Sequence, residues 1–313
     1  ESESAAAALG GVTSFMDMPN NNPPACTIEL LEKKYEIAAQ NSTINYSFYL
    51  GASNDNIGEV IKLDPSANCG VKLFMGSSTG NMLVDNEETL ESVFMNSPTI
   101  ITTHCEDEAT IRQALAWAKE KYGDDIPITE HPNIRSREAC IKSTTKAIDL
   151  AIKSGARLHI LHTSTAEEIE IVLEAQKKNP NITFEVCAHY LWFSEEDYTQ
   201  YGTQIKCNPA IKRKSDKEAL RKAVARRLPG AVATDHAPHL LSEKGGNYTQ
   251  APSGLPTIQH SLRMMLQLSK KGIFPIETVV EMLSHAPART FSIQKRGFIR
   301  EGYFADFTIV DRE

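Results

Sequence analysis

From end to end this chain alternates between two kinds of segment. Runs of consecutive apolar, mostly β-branched residues give way to loops and then to charged amphipathic stretches. The runs lie at 12–18, 44–50, 70–75, 99–103, 157–161, 183–188 and 231–234, with a weaker one at 204–207. Most are apolar on consecutive rather than alternate positions, as strands covered on both faces are. Helical patterns fall between and after them, at 27–40, 106–121, 136–153, 165–178, 215–224, 257–268 and 276–284. Thr27 opens the first, with Glu29 just inside and Ile28, Leu31, Tyr35 and Ile37 along it. The second opens on Glu106, Asp107 and Glu108, acids that suit a helix N-terminus. Strand and helix in alternation give parallel β/α units.

Two architectures satisfy that rhythm. An open doubly wound sheet normally carries a Gly-rich turn after its first strand. Here that place holds Met18-Pro-Asn-Asn-Asn-Pro-Pro24, which is no dinucleotide fingerprint. A closed (β/α)8 barrel instead delivers its chemistry from the C-terminal ends of several strands, and the sequence can be tested for that. At 313 residues, 41% hydrophobic and 23% charged, the chain is large enough for such a core and unlike a disordered one.

The polar residues fall where a barrel needs them. His104 ends the run at 99–103, His162 follows the run at 157–161, His189 follows the run at 183–188, and Asp235 and His236 follow the run at 231–234. Lys72 lies inside Gly70-Val-Lys-Leu-Phe-Met75, and Asn208 ends the weak run. Any one histidine at a strand end is more often structural; His159, His131 and His285 are read so. His104, His162 and Asp235 together are a different matter, because imidazoles and a carboxylate suit zinc or a similar divalent ion. Lys72 has a plain reading as a lysine that reaches out to water. Beside two cations its neutral amine is favoured. A neutral amine can take up carbon dioxide to form a carbamate, an anion that bridges two ions about 3.5–4 Å apart. Asn20 can offer an amide to a polar ligand. Residues 76–81 form a Gly-Ser-Ser-Thr-Gly-Asn loop that can cradle an anion, and Gly245-Gly246 marks a mobile loop over the bowl.

Composition removes other classes. A net charge of −7 is no nucleic-acid footprint. No apolar stretch is long enough to span a membrane, and Glu1-Ser-Glu-Ser4 is acidic where a signal peptide is basic. The six cysteines show no C-x-x-C pair and read as reduced thiols of a cytoplasmic protein.

Several motifs, in order, resemble the cyclic amidohydrolases and within them the dihydroorotase branch. They are Met18-Pro-Asn-Asn-Asn-Pro-Pro24, Gly70-Val-Lys-Leu-Phe-Met75, Thr103-His-Cys-Glu-Asp107 and Leu158-His-Ile-Leu-His-Thr-Ser-Thr165, then Lys206-Cys-Asn-Pro209, Ala233-Thr-Asp-His-Ala-Pro-His239 and Ser253-Gly-Leu-Pro256. The resemblance covers nearly the whole chain. It implies a distorted (β/α)8 barrel over residues 1–296, with the first strand missing, and the start of a small β-domain at 297–313. It implies two divalent ions, expected to be zinc, bridged by carboxylated Lys72. His104 and His162 would bind the second ion; Asp235 would bind the first and shuttle the proton. Asn20, Asn208 and His239 would hold the substrate's carboxylate and ring, and the backbone around Gly254 would touch the ring. The activity implied is reversible conversion of dihydroorotate to N-carbamoyl-aspartate, with a small molecule as partner, no nucleic acid, no membrane, and a homodimer left open.

The resemblance departs at one point. The family's His-x-His pair and the arginine after it, which supply two ligands and a carboxylate grip, have no counterpart in these 313 residues. Two alternatives therefore stand beside the first: an allantoinase or dihydropyrimidinase activity, and a catalytically silent partner subunit.

Overall fold

The computed structural model describes residues 1–76 and 82–311. Seven strands make one sheet: β1 (Ser14–Asp17), β2 (Asn45–Gly51), β3 (Gly70–Phe74), β4 (Ile101–His104), β5 (Leu158–Ile160), β6 (Ile182–Cys187) and β7 (Ala231–Ala233). Their spatial order is their sequence order, and each neighbouring pair is parallel. A doubly wound sheet reverses its order at a switch point. No reversal occurs here, so the winding is that of a (β/α) barrel, a curled sheet with the helices outside. Leu50, Leu73, Ile101, Leu158, Ile160, Ile182 and Phe184 are fully buried within it. Consecutive apolar positions are explained: both faces of each strand are covered.

The helices start where side chains can cap them. Thr27, Asn86, Asp107, Ser136 and Thr165 each accept a backbone N–H three residues on. Glu168 completes a capping box with Thr165. Gly155 ends the helix Arg137–Ser154 with φ of 72°, a turn that a Cβ would strain. The helices Ile57–Lys62 and Glu87–Asn96 carry no long periodic signal in the sequence. They form because Val60, Leu90, Val93 and Phe94 are drawn into the core.

Two sequence expectations change. Residues 204–207 are not a strand: Gly202–Ile205 is a 3₁₀ turn. The Lys206 carbonyl accepts from Lys244 Nζ at 2.9 Å and from the Gly254 N–H at 2.9 Å, so it is not free for a neighbouring strand. The segment around Gly245 and Gly246 is pinned, not loose. Lys244 Nζ also donates to the carbonyls of Pro252 and Gly254 at 2.8 and 2.9 Å. Lys206 Nζ donates back to the carbonyls of Tyr248 and Ala251 at 2.6 and 2.7 Å. Two buried ammonium groups thus satisfy the polar backbone of a segment that glycines alone would leave mobile. Of the proposed anion loop, residues 77–81 lie outside the described residues.

Residues 297–311 form no strand. Arg296 pairs with Asp306, and Thr308 Oγ1 donates to the Gly11 carbonyl at 2.6 Å, while Phe304, Phe307 and Ile309 stay exposed. All six cysteines are unpaired. No described helix is long and apolar enough to cross a membrane.

Candidate metal centre

The register of the sheet brings Lys72, His104 and their neighbours to one end. Phe74 pairs with His104, and Lys72 lies one strand away beside Thr102. His162 and Asp235 stand two residues beyond the last residues of β5 and β7. Both adopt left-handed backbones, with φ of 39° and 44°, at positions where neither is a glycine. Such strain costs about 1–3 kcal/mol and concentrates at functional sites.

Lys72 is 3% exposed. Its Nζ lies 4.4 Å from the centroid of the Phe74 ring and makes no ion pair among the described residues. Burial lowers its pKa to about 8, and the charges of Asp235 and Glu185 only partly resist. An amine that loses its proton this readily is the form that reacts with carbon dioxide.

The imidazoles of His104 and His162 are buried together, with ring centroids 4.7 Å apart. His104 Nε2 lies 2.9 Å from Glu106 Oε2, and Arg135 pairs with the same carboxylate. Burial alone would raise the Glu106 pKa, but Arg135 and His104 hold it well below the usual carboxylate range. An ionised acceptor fixes the proton of His104 on Nε2 and leaves Nδ1 as a lone pair. That lone pair faces His162 Nε2 at 2.9 Å. Burial keeps His162 neutral, so it carries one ring proton. On Nε2 the proton closes the contact and leaves Nδ1 a bare acceptor, for Nδ1 has no partner among the described residues. On Nδ1 it leaves two lone pairs face to face. A divalent ion between the rings removes that second conflict. Two metal–nitrogen bonds of about 2.0–2.1 Å each can span the gap. The donor set therefore fits such an ion.

Asp235 is half-buried, within electrostatic range of Lys72. Burial raises its pKa to about 6, the charge of Glu185 adds to this, and Lys72 opposes. Glu185 accepts from the His162 N–H at 3.3 Å and lies 3.1 Å from His159 Nε2, so it holds the turn that carries His162. Next to Asp235, His236 points away: its Nδ1 accepts from the Ile258 N–H at 3.2 Å, and Nε2–H donates to Glu3 at 2.6 Å.

Lys72, His104, His162 and Asp235 are thus brought around one end of the sheet. No hydrogen bond joins Asn20, Asn208, His239 or Gly254 to them among the described residues. Asn20 is exposed on the turn after β1. Asn208 precedes a cis proline, and its Oδ1 is buried without a partner among the described residues. His239 Nδ1 lies 4.0 Å from Glu243. Gly254 already uses both backbone groups, its N–H on Lys206 and its carbonyl on Lys244. Its φ of 148° and an Ala237 carbonyl 2.4 Å from where a Cβ would sit explain why a glycine stands there.

Sequence reasoning reads Glu106 only as a helix-opening acid, although the helix begins at Glu108, and gives Glu185 and His189 no role in the site. The signal was there for the acids: a carboxylate inside or just past an apolar strand must find a cation or a hydrogen bond. Nothing in the sequence marks His189 apart from its strand-end position.

The whole chain has recognisable relatives. Residues 1–312 match the amidohydrolase family. A dihydroorotase from Methanosarcina mazei is 30% identical over 322 residues, spanning 98% of this chain and 69% of that protein. An allantoinase from Bacillus velezensis is 30% identical over 312 residues, spanning 98% of this chain and 68% of its own. The fold superposes with a TM-score of 0.91 on the L-hydantoinase (dihydropyrimidinase) of Arthrobacter aurescens, which is 24% identical and matched over 97% of this chain and 69% of that one. A match over almost every residue, carried on a barrel-type parallel sheet, makes this chain a member of the amidohydrolase family.

Proposed function

We propose that the chain is a metal-dependent hydrolase of cyclic amides, with dihydroorotate as its substrate and N-carbamoyl-aspartate as its product. The observation that carries this reading is the buried pair His104 and His162, whose nitrogens face each other at 2.9 Å beside a lysine with a pKa lowered to about 8. His104 and His162 would hold one ion, Asp235 the other, and carboxylated Lys72 would lie between them. Two divalent ions, zinc by this donor set, would supply a Lewis acid and a hydroxide nucleophile at neutral pH.

The chain's own residues do the rest. In the net reaction an oxygen from water bonds to the ring carbonyl carbon, the C–N bond breaks and a proton ends on the leaving nitrogen. Asp235, at the end of β7 and within electrostatic range of Lys72, would take up and return that proton. Asn20, Asn208 and His239 offer donors to the substrate's carboxylate, which a protein of net charge −7 otherwise repels. In this reading residues 1–296 are the barrel and 297–313 begin a smaller β-domain.

Relatives that are dihydroorotases and allantoinases stand at equal identity. The turn Met18-Pro-Asn-Asn-Asn-Pro-Pro24 and the motif Asp235-His-Ala-Pro-His239 favour dihydroorotate. Parallel assays with dihydroorotate, allantoin and dihydrouracil decide it: turnover of dihydroorotate is expected, and turnover of only the other two overturns the choice.

A further inference from the structure

Lys206 and Lys244 are 8% and 4% exposed, and neither ammonium group meets a carboxylate among the described residues. Lysines normally reach for water, and burying a charge without a counter-charge is costly. Both groups are turned onto backbone carbonyls instead. Lys206 Nζ donates to Tyr248 and Ala251 at 2.6 and 2.7 Å. Lys244 Nζ donates to Lys206, Pro252 and Gly254 at 2.9, 2.8 and 2.9 Å. The Lys206 carbonyl also accepts the Gly254 N–H at 2.9 Å, so both backbone groups of Gly254 hang on the two lysines.

What lies beyond Gly254 explains so costly an arrangement. Residues 254–258 run along the turn 234–237, with Leu255 bridged in parallel to His236. The Thr257 hydroxyl donates to the Thr234 carbonyl at 2.6 Å, the Ile258 N–H to His236 Nδ1 at 3.2 Å, and the Ala237 N–H to the Leu255 carbonyl at 3.0 Å. The approach is close: a Cβ on residue 254 would stand 2.4 Å from the Ala237 carbonyl oxygen. These bonds bracket Asp235 on both sides. Asp235 has a left-handed backbone, with φ of 44°, and such a conformation persists only where its surroundings over-determine it.

We propose that Lys206 and Lys244 are positioning residues for hydrolysis: through residues 254–258 their ammonium groups hold the turn that aims Asp235 at the centre. This rests on the metal-dependent reading above and deepens it, by naming what fixes Asp235 in place. Neither lysine touches the reacting atoms. A staple with a merely structural role would steady residues 245–253 and leave the centre alone; the bonds to residues 234, 236 and 237 carry its hold further.

The test uses the full chain. Lys244→Met keeps the reach of the side chain and removes the ammonium group. In metal-free protein, amide hydrogen exchange over residues 234–258 should speed up about 10-fold or more, with β3, β4 and β5 unchanged. In the hydrolysis assay kcat should fall about 10–100-fold. The visible bands of the cobalt(II)-loaded variant should shift, because the Asp235 carboxylate no longer meets the ion at a fixed angle. Lys244→Cys treated with 2-bromoethylamine rebuilds an ammonium group at the same reach, and should restore both kcat and the cobalt spectrum, with treated parent protein as the control. Should Lys244→Met fail to fold, Thr257→Val cuts the far end of the same strip and should move kcat and the cobalt bands in the same direction. Unchanged kcat and cobalt bands in folded Lys244→Met, or in Thr257→Val, overturn the assignment and leave the metal-dependent reading standing. A parent protein that hydrolyses no cyclic amide and binds no metal overturns both.

Discussion

At the end of β4 the imidazole is held by protein; at the end of β6 that of His189 has no partner among the described residues. His104 is oriented by Glu106, which Arg135 keeps ionised, and the turn that carries His162 is tied to Glu185. Across the sheet, His189 has no partner for either nitrogen among the described residues, and Asp235 shares its surroundings with a second acid, Glu185. The first half is organised before any ion arrives, because a buried charge pair fixes one ring's proton and rotation. The second half holds groups whose conflicts a cation would relieve: a carboxylate pushed toward its neutral form and an imidazole without a partner among the described residues. An ion should therefore order the second half far more than the first.

The largest effect should come from Lys72, which the proposed function puts between the two ions. Lys72→Ala is expected to abolish hydrolysis, and short carboxylic acids added to the assay should restore part of it by standing in for a carbamate. Full activity in the variant would remove Lys72 from the centre. Asp235→Asn should keep the fold, seen by circular dichroism, yet lose on the order of 10²–10⁴-fold in turnover. A near-normal rate would deny Asp235 the proton. Glu106→Gln attacks the braced half. It should lower metal affinity about 10–100-fold, measured by competition with a chelator, because the neutral amide no longer fixes the His104 proton on Nε2. An unchanged affinity would mean that the ring is held by packing alone.

The smallest effect is one of pH on the metal-free protein. The folded-state pKa of Asp235 is raised to about 6 from an ordinary value near 3.8. A raised carboxyl pKa means that the folded state holds the proton more tightly than the unfolded one. The contribution is present below about pH 4 and is lost as pH rises through about 6. Thermal melts of the metal-free protein should show that part of the slope missing in Asp235→Asn. Identical slopes would place Asp235 in a more watery setting than its neighbours imply.

Much of this architecture was legible before any coordinates. The seven strong apolar runs all become strands, because a strand buried on both faces writes itself as consecutive apolar residues. The weak run at 204–207 did not, since Lys244 and Gly254 claim the Lys206 carbonyl there. Lys72, His104, His162 and Asp235 were readable as strand-end residues of ligand type. Their braces were not. Glu106 sits two residues from His104, but its value comes from Arg135, which lies 29 positions further on. The same holds for the loop at 241–255, where Gly245-Gly246 signalled freedom and Lys206, 38 residues from Lys244, removed it.

By itself the sequence determined the alternation of strand and helix and the kind of chemistry placed at the strand ends, because periodicity and residue type are local properties. Tertiary structure alone decided the winding direction of the sheet, the nitrogens that face each other, and the side chains left without partners. His104 and His162 are 58 residues apart in sequence and 2.9 Å apart in space. Which proton each ring carries follows from that contact and from the buried carboxylate beside it, and neither exists until the barrel has packed.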